Sequence, residues 1–329
     1  MHAVRVRKPG PPDTLVTEEL ADLQPGAGEV LIEVEAAAVN YPDLLVVTGR
    51  YQSTPPLPFT PGKEAAGIVR AVGAGVAHVK VGMRVLAHLS HGGFATQCLA
   101  PESHCFVLPD AMDFVQAAGL GLAAQTAWFA LFERGQLREG ETVLVTGASG
   151  AVGQAAVQIA HAHGCKVLAA ASNLPRAQAL LEGTPCHFVD LGVPALRDDL
   201  RRQVHEATGG HGADVVIDTL GGDVFDASLR ALAWCGRIVT VGFAAGRIPE
   251  VKANYLLVKN IAASGLQWTD YLERQPRRVA QAHAELSALW SRGLLRAQVM
   301  QTFAWRDAAQ ALALIDARGA SGRLVLTMP

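Results

Sequence analysis

The sequence predicts an α/β protein in which a doubly wound parallel sheet is joined to a β-rich module. Three observations support this prediction. From Val4 to about Cys105, short apolar runs alternate with Gly and Pro turns, which is typical of strands. From about Phe114 to Gly265, helical stretches alternate with short apolar strands, which indicates βαβ units. The length of 329 residues favours two domains over one.

The strands of the predicted parallel sheet are short and apolar. They are Thr142 to Thr146, Lys166 to Ala170, Val215 to Asp218, Arg237 to Val241 and Ile261 to Ser264. An Ala-rich helix from Ala117 to Phe132 precedes them. The tail contains two predicted helices, Pro276 to Ser291 and Asp307 to Arg318, and a closing strand, Gly322 to Thr327.

Composition restricts the class of partner. The formal net charge is −2, from 28 basic and 30 acidic residues, so electrostatics give no reason to expect nucleic acid or an anionic membrane. The apolar runs are shorter than the roughly 20 residues that cross a bilayer, and no signal peptide is evident. The five cysteines are scattered and form no CxxC pair, which suits reduced thiols. We therefore expect a soluble cytoplasmic protein that holds no metal and binds a small molecule.

The most informative motif follows the strand Thr142 to Thr146. A Gly-rich turn there opens a predicted helix, Gln154 to His163, and reads Ala148-x-Gly150-x-x-Gly153, a GxGxxG-like pattern with Ala in the first position. Gly150 lets the backbone approach a pyrophosphate, and Gly153 lets helix and strand pack closely. We therefore predict a Rossmann dinucleotide site with contacts from Ala148, Ser149, Gly150, Ala151, Val152 and Gly153.

The end of the next strand indicates which nicotinamide cofactor binds. An NAD enzyme places Asp or Glu there, against the ribose 2′-hydroxyl. This chain has Ala171, Ser172 and Asn173 at that point, followed by Arg176. Ser172 can donate a hydrogen bond to a 2′-phosphate and Arg176 can supply a charged fork, so NADPH is favoured over NADH. Phe243 is included among the predicted cofactor-binding residues.

Two competing motifs fail on their context. The turn also fits TGxxxAxG, and Tyr255 to Lys259 fits YxxxK, which together resemble a short-chain dehydrogenase. That family places its Rossmann strand near the N-terminus and a catalytic Ser about a dozen residues before the Tyr, where this chain has Val241 to Phe243. A GxSxG nucleophile elbow is excluded because Ala151 replaces the last glycine, so Ser149 is a turn residue.

An ordered set of motifs resembles a known family. The set comprises the Gly-rich turn together with Val39 to Asp43, Pro61 to Gly67, Gly82 to Val85 and Gly209 to Asp218. It resembles the medium-chain dehydrogenase/reductase superfamily, and within it the quinone oxidoreductase (zeta-crystallin-like) branch, over essentially the whole chain. The resemblance implies a GroES-like catalytic domain of residues 1–122, completed by 267–329, around a Rossmann NADPH-binding domain of residues 123–266. It also implies a homodimer.

The resemblance further implies that the chain works without zinc. Zinc-dependent members place a Cys ligand where Asn40 stands here and a His ligand where Lys63 stands. Without a Lewis acid, a simple alcohol or ketone is difficult to polarise, whereas a quinone or an activated alkene is already electrophilic. The choice of a quinone as the substrate rests on the family name.

Site residues are carried over from the same resemblance. Asn40, Asp43 and Tyr51 match polar residues at the nicotinamide end of the site and are the predicted catalytic residues. Tyr51 is the candidate donor of a hydrogen bond to the acceptor oxygen, Asn40 and Asp43 arrange the backbone and water, and solvent supplies the proton.

Further matches concern the cofactor. Thr126 matches a residue near the nicotinamide ribose, Arg176 a lysine at the 2′-phosphate, and Arg318 an arginine near the cofactor phosphates. Leu191 replaces a tyrosine that flanks the adenosine phosphate in relatives.

Two alternatives stay open. One is an alkene reductase that acts on an enone, an enoyl thioester or a haloacrylate. The other is a protein that binds NADPH without turnover and serves a structural or RNA-associated role, although the chain lacks the basic stripe that RNA binding favours.

Overall fold

The computed structural model describes residues 1–317, 319–320 and 322–329, and the chain divides into two compact units. The first unit comprises Met1–Leu122 and Ala297–Pro329, and the second comprises Ala123–Arg296. The predicted return to the first unit at residue 267 differs from the structure, in which residues 267–296 belong to the second unit. Contacts inside the second unit explain this, because Gln125 Nε2 donates to the Val279 carbonyl at 3.2 Å and Trp128 Nε1 to Glu285 at 2.8 Å.

The elements of the N-terminal part are mostly strands. They are β1 (His2–Arg5), β2 (Val16–Glu19), β3 (Glu29–Val39), α1 (Tyr41–Val47), β4 (Glu64–Val72), β5 (Arg84–His88), β6 (Gln97–Pro101), β7 (Cys105–Val107) and α2 (Phe114–Trp128). The chain passes from the first unit to the second within α2. A π-type turn, Phe129–Arg134, continues this helix.

The second unit alternates strands and helices. Its further elements are β8 (Thr142–Thr146), α3 (Ala151–Ala162), β9 (Lys166–Ala171), α4 (Leu174–Leu180), β10 (His187–Asp190), α5 (Leu196–Ala207), β11 (Ala213–Asp218), α6 (Gly222–Ala231), β12 (Leu232–Thr240), α7 (Ala253–Lys259), β13 (Ala262–Gly265), α8 (Trp268–Arg274) and α9 (Pro276–Ser291). The tail then adds β14 (Val299–Ala304), α10 (Ala308–Asp316) and β15 (Arg323–Thr327) to the first unit.

The main sheet of the first unit runs in the order β14-β15-β3-β4-β5-β7, with β6 paired to β3. Its pairs are antiparallel except β14 with β15, so strands of the chain tail complete a sheet that the N-terminal part begins. Ile32 of β3, Phe94 and Leu326 of β15 lie in one buried cluster beneath this sheet. The predicted β-rich module, GroES-like by resemblance, is therefore confirmed.

The sheet of the second unit runs in the order β10-β9-β8-β11-β12-β13, and all its pairs are parallel. Every residue of β8 is buried, which explains its uninterrupted apolar sequence. The direction of strand order reverses between β8 and β11, and ligands of such sheets bind outside the carboxyl ends of the strands at this reversal. The predicted doubly wound Rossmann sheet is confirmed.

Among the residues that the structure describes, one helical stretch is long and apolar enough to cross a membrane. It is Phe114–Arg134, 21 residues with a mean hydropathy of 1.3, and 72% of its apolar window is buried inside the protein. A core helix of a globular protein meets the same criteria, so this stretch is weak evidence for a membrane span.

Candidate functional site

The turn between β8 and α3 has the shape that a dinucleotide phosphate requires. Gly147 has a φ of 67°, in the left-handed region that glycine tolerates. A Cβ on Gly153 would lie 2.2 Å from the Gly147 carbonyl oxygen, so only glycine fits where α3 passes the strand. Gly150 caps α3 without a side-chain hydrogen bond, which leaves the first N–H groups of that helix for an outside acceptor. A pyrophosphate fits this turn, and its contacts with residues 148–153 stay a prediction.

A buried carboxylate holds the end of β11 against this turn. Asp218 is fully buried and accepts hydrogen bonds from Thr146 Oγ1 at 2.6 Å and Gly221 N at 2.9 Å. Thr219 Oγ1 donates to the Thr146 carbonyl at 2.9 Å. Burial raises the pKa of Asp218 above its ordinary value, against the lowering effect of these donors. Asp218 is not among the predicted site residues, although an acid that ends an apolar strand is a usable signal.

The end of β9 holds the residues that are predicted to select NADPH. Ser172 is exposed there, and Asn173 starts α4 by accepting the Arg176 N–H at 3.0 Å. The Nε atom of Arg176 is buried without a hydrogen-bond partner among the described residues, and burial lowers the pKa of this guanidinium. A guanidinium without an acceptor suits a phosphate, so a 2′-phosphate fits this strand end.

The other predicted cofactor residues lie in different places. Phe243 follows β12 and is 38% exposed, and a Cβ on Gly221 would lie 3.0 Å from its ring. Phe243 is therefore at the same edge of the sheet as the Gly-rich turn. Thr126 is half-buried in α2, before β8, and Leu191 is buried in the core of the second unit. Arg318 lies outside the described residues.

In the first unit, Asn40 and Asp43 organise the start of α1. Asp43 is 1% exposed, and its Oδ2 accepts the Asn40 backbone N–H at 2.8 Å. Its Oδ1 has no hydrogen-bond partner in the described part of the chain. Burial raises the pKa of Asp43 to about 7, although the Asn40 N–H and the charge of Lys63 lower it. Both residues thus shape the local backbone, and contact with a substrate stays a prediction.

A buried ion pair that is not among the predicted site features fixes the Asn40 side chain. Arg323 of β15 donates to Glu64 Oε1 at 3.0 Å and to Asn40 Oδ1 at 3.1 Å. Asn40 Nδ2 donates to the same Glu64 oxygen at 2.9 Å, and Leu122 N donates to Glu64 Oε2 at 2.6 Å. Burial raises the pKa of Glu64, and the nearby charge of Arg323 lowers it. Burial lowers the pKa of Arg323, and the charge of Glu64 raises it. The Asn40 amide is therefore committed to this pair.

Lys63 lies beside Tyr51, the predicted hydrogen-bond donor. Its Nζ is 4.6 Å from the centre of the Tyr51 ring and donates to the Ser90 carbonyl at 3.3 Å. Burial lowers the pKa of Lys63, and the Asp43 carboxylate raises it. We call Tyr51, Lys63 and Asp43 the Lys63 cluster. The structure thus groups two of the three predicted catalytic residues around a lysine, while the side chain of Asn40 contacts Glu64.

Comparison with known proteins decides the family. Residues 26–130 match the model of the alcohol dehydrogenase GroES-like domain, and residues 151–287 match that of the zinc-binding dehydrogenases. A quinone oxidoreductase-like protein 2 homolog from Nematostella vectensis is 35% identical over 95% of this chain and 84% of that protein. The chain belongs to the quinone oxidoreductase branch of the medium-chain dehydrogenase/reductase superfamily.

Two further members of this branch cover nearly the whole chain. The quinone oxidoreductase of Sus scrofa is 34% identical over 100% of this chain and 98% of that protein. The quinone oxidoreductase of Escherichia coli, solved in complex with NADPH, has a TM-score of 0.91 and 28% identity over 99% of this chain and 100% of that chain. The resemblance that the motifs indicate is therefore confirmed.

The matched zinc-binding dehydrogenase family is named for a metal, and this medium-chain reductase has different residues at the positions of the zinc ligands. Asn40 and Lys63 stand where the resemblance places ligands in zinc-dependent members, and Asn40 is bound to Glu64 and Arg323 instead. Within residues 1–317, 319–320 and 322–329, no three His, Cys, Asp or Glu side chains are grouped so that they could hold a metal ion.

Proposed function

We propose that the protein is an NADPH-dependent oxidoreductase that reduces a quinone or a similar conjugated carbonyl compound without zinc. The observation that most supports this proposal is the Gly-rich turn together with Arg176, whose Nε has no acceptor among the described residues and which closely follows the strand end where an NAD enzyme has a carboxylate. The quinone oxidoreductase names of its relatives, one of them solved with NADPH, support it further.

The residues of the chain bind and orient the reactants. When bound, NADPH supplies a hydride. The N–H groups at the start of α3 and the dipole of that helix would hold the pyrophosphate. Ser172 and Arg176 would hold the 2′-phosphate. Tyr51 would donate a hydrogen bond to the acceptor oxygen, while Asn40 and Asp43 hold the local backbone in place.

The site residues also support zinc independence. Neither the Asn40 amide nor the Lys63 ammonium is a usual zinc ligand. The purified protein should contain no stoichiometric zinc, and chelators should leave its activity intact. Loss of activity on chelation, restored by added zinc, would contradict this part of the proposal.

An NADPH-oxidation screen over ortho- and para-quinones, enones and acrylyl thioesters tests the substrate class. We expect turnover with quinones, and faster turnover with NADPH than with NADH. Turnover with enones or thioesters alone would replace the proposal by the alkene reductase. Tight NADPH binding without turnover of any acceptor would indicate the non-catalytic alternative.

We also propose that the protein is a cytoplasmic homodimer with a small-molecule substrate and no nucleic-acid or membrane partner. The support for a dimer is a set of strongly exposed apolar side chains in the second unit. Trp234 is 76% exposed, Ile248 68%, Leu257 78% and Val258 74%. The last two lie on α7, directly before the edge strand β13. Exposed apolar side chains beside a sheet edge are typical of a surface that a second protein covers.

A further inference from the structure

The backbone around Lys63 is held in one conformation. Its carbonyl accepts the Leu89 N–H at 2.8 Å, and the Gly62 carbonyl accepts the Gly93 N–H at 3.0 Å. Gly62 has a φ of 106°, which only glycine adopts readily. Glu64 then opens β4 with its side chain in the buried ion pair, whereas the Lys63 side chain stays outside that pair and bonds to the Ser90 carbonyl.

The Lys63 ammonium keeps free hydrogen-bonding capacity. It lies against the face of the Tyr51 ring and gives one hydrogen bond to the Ser90 carbonyl. An ammonium has three N–H donors, so two remain for another acceptor. Among the residues that the structure describes, Lys63 makes no direct ion pair, and Asp43 acts on it through longer-range attraction. Its charge is therefore fixed in place but not cancelled.

The other polar groups near Lys63 are less suited to contact a substrate. The Asn40 amide is bound to Glu64 and Arg323, whose charges neutralise each other. Asp43 is 1% exposed. Lys63 and Tyr51 are both half-buried, so they are the donors of this group that an acceptor can reach.

We propose that the Lys63 ammonium binds the acceptor oxygen and stabilises the negative charge that develops on it during reduction. This inference rests on the quinone reductase function proposed above. In the step, a hydride adds to the quinone as the nicotinamide C4–H bond breaks, which gives a hydroquinone monoanion. A solvent proton then forms the second O–H bond. A fixed cation at the developing oxyanion lowers the barrier because it needs no reorganisation at the moment of reaction.

Steady-state kinetics of Lys63→Met and Lys63→Arg test this role. Met keeps the length of the side chain and removes the charge, so kcat with quinones should fall about 100-fold, as for the loss of one oriented oxyanion donor. Arg keeps the charge and should retain most of the activity. Lys80→Met, at an exposed lysine of the same unit, is the matched control and should behave like the unmutated protein. An unchanged kcat in Lys63→Met, with NADPH affinity and thermal stability also unchanged, would overturn the proposal.

A binding probe separates this inference from the proposed function. 4-Nitrophenol, which turns yellow on ionisation, mimics the charged oxygen of a reduced quinone. It should ionise at lower pH when bound to the unmutated protein with NADP⁺, and Lys63→Met should abolish this shift while Lys63→Arg keeps it. Asp43 and His91 are coupled electrostatically to Lys63, so Asp43→Asn and His91→Gln are compared over the same pH series. Absence of a Lys63-dependent shift overturns the oxyanion site even if quinones are reduced. A Lys63-dependent shift without quinone turnover instead rejects the proposed function and supports the site.

Discussion

At the scale of single residues, the half-buried side chain of Arg176 favours NADPH over NADH. Its Nε has no acceptor in the described part of the chain, and a buried donor without a partner is unfavourable. A bound 2′-phosphate supplies the missing acceptor together with the opposite charge. NADPH, but not NADH, provides this group.

Arg176→Ala should therefore erase most of the preference for NADPH over NADH. We expect a loss on the order of 1 to 3 kcal/mol in the NADPH binding free energy, as for a charged hydrogen bond. Fluorescence titration of both cofactors measures the change. Arg202→Ala, at an exposed arginine of the same unit, should keep the preference. Equal affinities of the unmutated protein for NADPH and NADH would contradict the cofactor assignment.

Tyr51→Phe should slow quinone turnover about tenfold to a hundredfold without abolishing it. Phe keeps the ring face that contacts the Lys63 ammonium and removes only the hydroxyl donor. Rates with each accepted quinone and enone measure the effect. Unchanged rates with every acceptor would show that Tyr51 is a structural loop residue. Complete loss of turnover with NADPH still bound would require an acid in place of solvent protonation.

Asp43→Asn should change the pH dependence of stability. The Asp43 pKa is about 7 in the folded protein against an ordinary value of 3.8, so the folded state holds an extra proton between these values. The free energy of unfolding of the unmutated protein therefore falls as pH rises through this window and levels off above it. Asn cannot ionise, so the free energy of unfolding of Asp43→Asn does not fall in this way. Between pH 5 and pH 8, its difference from the free energy of unfolding of the unmutated protein should rise by roughly 2 to 3 kcal/mol in favour of the variant.

Urea unfolding at several pH values gives this difference. Asp13→Asn, at an exposed carboxylate, is the control for the loss of one carboxylate charge. A difference between Asp43→Asn and the unmutated protein that stays constant with pH would mean that Asp43 is not protonated in the fold.

Site residues that belong to a local motif could be predicted from the sequence. Contacts between residues far apart in the sequence could not. Asn40, Asp43 and the Gly-rich turn belong to local motifs, so the sequence alone indicates them. Glu64 and Arg323 are 259 residues apart, and they come together only because β3 pairs with both β15 and β4. The contact between Lys63 and Tyr51 depends on a loop conformation that no periodic pattern encodes.

At the element scale, prediction succeeded where one apolar pattern dominates. The predicted bounds of β8 and α9 agree with the structure, because the first is fully buried and the second has a clear amphipathic face. β10 is not among the predicted strands, because only one of its four residues is buried and so it has no run of apolar residues that would indicate a strand. The unit to which α8 and α9 belong depends on contacts with α2, such as Gln125 with Val279, which local sequence does not specify.

Gly153→Ala tests the close packing of α3 on β8. The added Cβ would lie 2.2 Å from the Gly147 carbonyl oxygen and 2.8 Å from the Ala148 Cα. These are backbone atoms, so side-chain rotation cannot relieve the clash and α3 must shift. We expect a stability loss of roughly 1 to 3 kcal/mol, as for overpacking, together with weaker NADPH binding.

Thermal unfolding and NADPH titration measure both effects. Gly265→Ala is the control, because its nearest neighbour is the Thr240 carbonyl at 3.9 Å and its φ is not in the left-handed region. Gly153→Ala with the stability and affinity of the unmutated protein would show that the turn tolerates a side chain.

At the scale of the whole molecule, each unit has its own buried core. Among the described residues, the four most exposed large apolar side chains, Trp234, Ile248, Leu257 and Val258, all lie in the second unit. Leu257 and Val258 are adjacent on α7 and more than two thirds exposed. Burying side chains of this size contributes about 1.5 to 3 kcal/mol each, which favours association through this surface. A net charge of only −2 opposes self-association weakly.

The double variant Leu257→Glu, Val258→Glu should therefore be monomeric where the unmutated protein is dimeric. Two carboxylates on each protomer would have to be buried without partners, and the cost of that desolvation exceeds the apolar gain that holds the surfaces together. Sedimentation equilibrium at micromolar concentration measures the mass of both proteins. Val81→Glu adds a charge at a position 61% exposed in the first unit and should leave the dimer intact. An unmutated protein that sediments as a monomer would reject the dimer, and a double variant that stays dimeric would place the interface on another surface.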